Sequence, residues 1–402
     1  MSKKEPMMCA DCGGEAIPHR LTYITVAIDE TLRPMLAPSA LTHFFLRGLY
    51  ALESRITPFL MKLMRKVGLA RFEQAPDERT MLVAKVLWEE ANVRGIQVHE
   101  VRLFGLPRNM FIARLESGAH LCYEGIPMPA HSARQAWWLD NKGEMKKRFT
   151  KVGIPVPKGK AVFTEKGAFD AFYELSAPVI VKPYSGSGSR HTTLHIRDEE
   201  TLFRAFKSAK RVAPLAVVEE ELVGAVYRAT VIDGVCRGVL RRDPPHVIAT
   251  GAHNIRQLVA KANEHPARGG PYFSKIMLNS EALAELAWQR LSPIDMPEEG
   301  TRVLLHQKIN WSVGGTTTDV TDVTHPENMA LFERVAEVLQ APVVGIDFII
   351  SDITSPWQEQ ERCGVIECNS MPFFDNHHLP FEGEPRNVAG AVWDMVSKYR
   401  QR

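Results

Sequence analysis

Three short stretches combine side chains able to hold a metal ion and a phosphate. In GVIECNS, residues 364 to 370, Glu367 and Asn369 stand two apart in an apolar strand pattern. That spacing puts them on one face, with Ile366 and Cys368 on the other. Upstream, Asp347 interrupts the apolar run APVVGIDFIISD. A carboxylate in such a strand is costly to bury unless something pairs with it. The connection SDITSPWQEQERC is rich in turn formers, which predicts an antiparallel hairpin with Asp347 facing Glu367 and Asn369 across about 4.8 Å. Two carboxylates and an amide oxygen are hard donors that suit Mg²⁺; a satisfied polar pair near a sheet end is the plainer alternative. In APVIVKPYSGSGSRHTT an apolar strand runs into Lys182 and a turn holding Ser185, Gly186, Ser187 and Gly188. A lysine beside free backbone N–H groups can grip a phosphate, and a solvated hairpin is the alternative. PLAVVEEELVG ends a strand in Glu219, Glu220 and Glu221 before Leu222 and Gly224. This is either a surface turn or a hinge whose backbone bonds a purine edge. Neither GxxxxGK[ST] nor GxGxxG occurs, so the usual phosphate loops are excluded.

These residues need several elements to position them. At 402 residues the chain is long enough for two or three subdomains. Hydrophobic residues make up 45%, charged ones 24%, and the net charge is +2, so no bulk attraction to nucleic acid or to an acidic membrane is expected. No apolar run reaches spanning length, and six cysteines without a framework spacing fit a reducing cytoplasm. Cys9 and Cys12 form a lone CxxC, read as part of a flexible tail because a structural zinc site needs four ligands. SALTHFFLRGLYALESRITPFLMKLMRKVGLARF is a basic helical stretch broken near Pro58, read as covering a core rather than lying on a membrane. Beyond it helices alternate with hairpins, which argues for α+β subdomains. The division expected is an N-terminal helical extension over 1–79, a small α/β subdomain over 80–140, and a main domain over 141–402 with a small lobe at about 150–222.

Taken in order, Lys142 in DNKGEMKKRF, Lys182 in VIVKP, Glu219 to Gly224, Asp347 in GIDF, and Glu367 with Asn369 resemble an ATP-grasp enzyme. The narrower likeness is to the ATP-grasp module of cyanophycin synthetase and of bacterial bifunctional glutathione synthetases. It is carried by HNIRQLVAKANEHPARG, WSVGGTTTDVTDVTHPEN, FIISDITSPW, IECNSMPFF and HLPFEGEPRNVAGAVWDMV, over roughly residues 80 to 402. Agreement over so many separated segments is more specific than any one motif.

The resemblance implies an α+β ATP-grasp fold in which two lobes clasp ATP. It assigns Lys142 and Lys182 to the phosphates, and Glu219 with the backbone of Glu221 and Leu222 to the adenine. It makes the turn from Ser185 to His191 a phosphate cover. Asp347, Glu367 and Asn369 would hold two Mg²⁺ ions, with Mn²⁺ an acceptable substitute. The implied reaction joins the carboxylate of an amino acid or short peptide to an amine through an acyl phosphate, with Arg242, Lys308 and His306 facing the transferred group and the backbone of Gly314 and Gly315 supporting the tetrahedral intermediate. Three positions depart from the family pattern: Val226 stands where an acid grips the ribose, Ser189 and His191 where glycines are usual, and His306 where an arginine is expected. A non-catalytic nucleotide-binding scaffold and a small-molecule kinase are the alternatives. His377 and His378 read equally as a substrate contact or a polar turn, and homo-oligomerisation stays open.

Overall fold

The computed structural model describes residues 17–35, 56–57, 59–115, 118–128, 139, 142–184, 190–270, 272–307 and 309–400. Helix α1 (His19–Met35) and helix α2 (residues 59–66) precede a four-stranded sheet of β1 (Ala70–Glu73), β2 (Gln97–Leu103), β3 (Leu106–Arg114) and β4 (His120–Glu124). All of its described ladders are antiparallel, so among the described residues this subdomain shows no βαβ crossover of the kind an α/β unit uses. Strand β1 lies inside the 1–79 stretch expected as an N-terminal helical extension. The sheet alternates its faces as period 2 demands. Val98, Phe111, Ala113 and Leu121 pack against α3 (Leu82–Val93), while Val101 and Ile112 on the other face meet Met61 of α2.

Helix α4 (Lys142–Lys151) leads into the small lobe. There β5 (Gly159–Val162), β8 (Ala216–Glu220), β6 (Val179–Pro183) and β7 (Thr193–Ile196) form an antiparallel sheet in that order, backed by α5 (Glu165–Glu174) and α6 (Glu199–Ala209). Thr164 and Asp198 cap these two helices, each side chain accepting an N–H of the first turn, which satisfies a donor the helix itself leaves open.

The large sheet runs β13 (Thr316–Asp319), β10 (Val235–Asp243), β9 (Ala225–Ile232), β14 (Val343–Ile350) and β15 (Gly364–Asn369). One face is apolar. Tyr227, Ala229, Val231, Val239, Ile346, Phe348, Val365 and Cys368 pack with Phe332 and Val335 of α9 (Pro326–Leu339) and with Met145 and Phe149 of α4. The opposite face carries Arg228, Thr230, Arg242, Asp347, Glu367 and Asn369. Between β10 and β13 lies an excursion with α7 (Ile255–Ala262), α8 (Ser280–Trp288) and the hairpin β11 (His246–Ile248) with β12 (Arg302–Leu304). After β15 come the short α10 (Asp375–His378) and α11 (Val388–Arg400). The last of these returns to the first subdomain, where Val392, Trp393 and Val396 join the core of Leu87 and Trp88.

Candidate active site

Asp347 and Glu367 are direct cross-strand partners on β14 and β15, and Asn369 pairs with Gly345 one step along the same face. The ladder slips between Asp347 and Phe348, leaving Ile366 as the extra residue. This bulge sends Val365, rather than Ile366, into the core beside Cys368. A bulge re-aims side chains locally; here it keeps Glu367 and Asn369 on the polar face.

On the neighbouring strand, Arg228 stands opposite Asp347 and grips it with two prongs. Its Nε donates to Oδ1 at 2.6 Å and its Nη2 to Oδ2 at 2.8 Å. Arg242 reaches the same Oδ1 at 3.4 Å. Asp347 is 5% exposed. Burial alone would raise its carboxyl, but Arg228, then Arg242 and Lys142, outweigh that and hold it below the usual carboxylate range. Lys142, at the start of α4, lies 3.4 Å from Glu367.

The small lobe adds a second knot. The Glu219 carboxylate, on β8, pairs with Lys182 of β6 and with Lys146 of α4. It is 1% exposed, and the two ammonium groups overcome the effect of burial to hold it low. Burial and the nearby Lys182 push Lys146 down to about 8, against the pull of Glu219. The charge expected on the adenine is thus committed to two lysines, one of which the sequence reading passed over. Lys146 lies one helical turn beyond Lys142, hence on the same face. Arg228 was missed as well, although it interrupts apolar AVYRATVI just as Asp347 interrupts its own strand.

Farther along β8, Glu220 N–H bonds Lys158 O, Glu221 N–H bonds Pro178 O and Val223 N–H bonds Arg362 O. The Leu222 N–H, between them, has no such partner among the described residues. The Glu221 carboxylate accepts from His195, through its backbone N–H at 2.9 Å and its Nδ1 at 2.6 Å. The His195 ring in turn stacks on Trp288 of α8 at 5.4 Å.

Several expected residues lie elsewhere. His306 follows the end of β12 and meets Glu281 of α8 at 3.1 Å. The N–H groups of Gly314 and Gly315 close a turn onto Trp311 O and Asn310 O, and are spent rather than aimed at an intermediate. His378 accepts the Ala389 N–H at the start of α11 at 3.0 Å. His377 is fully buried against Thr230. Each histidine thus has a protein partner, while the His377 Nδ1 is buried without one. His191 is buried, with its Nδ1 3.0 Å from Ser208 Oγ, so that end of the expected cover is anchored. Lys308, Ser185, Gly186, Ser187, Gly188, Ser189, Cys9 and Cys12 lie outside the described residues. Val226 sits on β9 opposite Ile349 and Arg242.

The chain is 33% identical over 350 residues to cyanophycin synthetase from Trichormus variabilis, an alignment covering 82% of this chain and 38% of that protein. It is 31% identical over 302 residues to a glutathione biosynthesis bifunctional protein from Mannheimia succiniciproducens, over 72% of this chain and 40% of that one. The crystal structure of a bifunctional glutathione synthetase from Pasteurella multocida superposes with a TM-score of 0.60 at 25% identity, covering 79% of this chain and 43% of the other. The chain belongs to the ATP-grasp ligases. No family model matches it, and it spans about two fifths of the length of these curated relatives.

ATP-grasp ligases use ATP with a divalent metal. The donor chemistry of Asp347, Glu367 and Asn369 fits a hard cation. The Asn369 amide nitrogen is buried without a hydrogen-bond partner, so its amide is not locked in place by the protein. Among the described residues no three His, Cys, Asp or Glu side chains converge as a metal cage, in keeping with a set of two acids and one amide. Asp347 would have to share its oxygens between such an ion and Arg228. Buried Asp375 Oδ1 and Asn376 Oδ1 also lack partners a few residues beyond Asn369. Burial pushes Asp375 up to about 6.

Proposed function

We propose that this ATP-grasp protein is an ATP-dependent carboxylate–amine ligase acting on an amino acid or short peptide. The observation that carries the reading is one continuous charge cluster bridging the two lobes. Lys146 and Lys182 meet on Glu219, Lys142 bridges to Glu367, and Arg228 and Arg242 meet on Asp347. Five cations against three carboxylates leave an excess of two positive charges, which complements the roughly −2 of a nucleoside triphosphate carrying one Mg²⁺.

In this reading Lys142, Lys146 and Lys182 hold the phosphates, and the open Leu222 N–H takes an edge of the adenine. Asp347, Glu367 and Asn369 would hold Mg²⁺, which supplies charge neutralisation at the phosphates. The substrate carboxylate attacks the γ-phosphorus as the bond to ADP breaks. The amine then forms the C–N bond as phosphate leaves and a proton is released. Arg242, at the large-sheet end of the cluster, neutralises charge on the transferred group. Polar atoms left unpaired on Asn369, Asp375 and Asn376 offer hydrogen bonds to the substrates.

Phosphate release measured against a panel of amino acids and dipeptides tests this. Amine-dependent release supports the ligase, and Glu367→Gln should abolish it without changing the melting temperature; retained turnover would refute its metal role. Amine-independent phosphorylated product indicates the kinase. The two-pronged Arg228 grip on Asp347 favours a second reading, a nucleotide-binding scaffold, for which ATP binds and no phosphate appears under any condition.

A further inference from the structure

We propose that a basic cavity on the α2 side of the N-terminal sheet binds a phosphate-bearing anion, at a site separate from the candidate active site. The cavity is about 520 Å³, lined by Lys62, Arg65 and Lys66 of α2, His99 of β2, Arg114 of β3 and His120 of β4. Among the described residues no acidic side chain lines it. Its volume lies in the range of small-molecule sites and exceeds what a single inorganic phosphate fills.

Three observations carry the proposal. First, Arg114 of β3 joins Lys62, Arg65 and Lys66 of α2 from a distant part of the chain, and His99 of β2 and His120 of β4 complete the polar lining, so the basic run of α2 alone does not account for the cluster. Like charges gathered round one concavity repel each other and create a field for an anion. Lys62, Arg65, Lys66 and Arg114 have no carboxylate partner among the described residues. Second, the His99 Nδ1 is buried and unpaired, a cost that a ligand hydrogen bond would remove. Third, Arg65 lies over the Phe72 ring at 5.0 Å, and the same ring stacks on His99 at 6.3 Å. Flat stacking holds the guanidinium plane and leaves its edge free to donate to phosphate oxygens. The field of Lys62 and Arg114, after burial, also depresses His120.

The phosphate has two conceivable sources. One is a free phosphorylated metabolite. The other is a lipid headgroup, because Phe59, Leu60, Leu63 and Val67 on the far side of α2 are exposed, and such a face beside basic residues suits a bilayer surface. Two measurements on the full chain separate them: calorimetric titration with inorganic pyrophosphate, and sedimentation with phosphatidylglycerol vesicles against phosphatidylcholine vesicles. Each compares the protein with the Lys62→Gln/Arg65→Gln/Arg114→Gln variant. Pyrophosphate held at the candidate active site is common to both proteins and cancels in the difference. At least tenfold weaker pyrophosphate binding in the variant supports a free anion. Loss of phosphatidylglycerol sedimentation in the variant supports a headgroup. Arg114→Gln alone, expected to weaken binding at least threefold, serves if the triple variant fails to fold. Equal behaviour of both proteins in both assays overturns the proposal. So does binding to a duplex oligonucleotide that is tighter than to pyrophosphate and lost in the same variant.

Discussion

Around Glu219 and Asp347, the candidate active site gives each lysine and arginine of its cluster a carboxylate, whereas Lys62, Arg65, Lys66 and Arg114 round the N-terminal cavity have none among the described residues. Both regions are basic, yet they store charge differently. A matched cluster holds its side chains in place before any ligand arrives, and an incoming anion must exchange with the resident carboxylates. An unmatched cluster has nothing to exchange, so its ligand meets bare field and its affinity falls steeply with salt.

The contrast can be broken most forcefully at Glu219. Glu219→Gln strands the two mostly buried ammonium groups of Lys146 and Lys182 beside a position that is 1% exposed, and removing one partner of a buried pair typically costs about 3–5 kcal/mol. Urea denaturation should show a loss of that order; a change under about 1 kcal/mol would mean the lysines find other partners.

Asp375 sharpens the comparison, being a buried carboxyl near the matched cluster with an unpaired Oδ1. Its acid form is favoured by folding, with a pKa of about 6 against an ordinary 3.8. Its stabilising contribution is therefore whole below pH 4 and lost as pH rises through 6. Asp375→Asn should match the parent protein below pH 4 and exceed it by about 3 kcal/mol above pH 7. Paired melting curves across that range check both the size and the sign.

With Lys146 at about 8, kcat/KM for ATP should fall tenfold per unit on the alkaline side of that value. Lys146→Arg should move the limb upward, and an unmoved limb would remove Lys146 from the phosphate grip. The smallest effect is expected at the cavity. Lys66→Gln should change stability by less than about 0.5 kcal/mol, since no pair is lost, and a larger loss would reveal a hidden partner.

Much of this site was legible because strands expose their exceptions. Asp347 and Glu367 stood out against apolar neighbours, and period 2 placed Glu367 with Asn369. The bulge at Ile366 was not visible, since Val365 and Ile366 are both apolar and the sequence does not show which of them turns into the core with Cys368. Lys146 was hidden among the lysines of KGEMKKRFTK, where only the reach of one side chain from α4 to Glu219 of β8 selects it. Gly314 and Gly315 looked like open donors because sequence does not show which carbonyl a turn closes on. His377 and His378 offered two readings, and the sequence could not show that they meet Thr230 and the Ala389 N–H. The cavity was beyond reach altogether, for its residues meet only once four elements have assembled.

Trp393 of α11 donates its indole N–H to Leu87 O at 2.9 Å, across 306 positions of chain. A ribosome adding residues one by one would therefore release the first subdomain with the Leu87 and Trp88 side of its core uncovered, until α11 emerges to seal it. Until then, α3 has no lasting cover for Leu87 and Trp88, and a nascent chain stalled before Val388 should be a chaperone client.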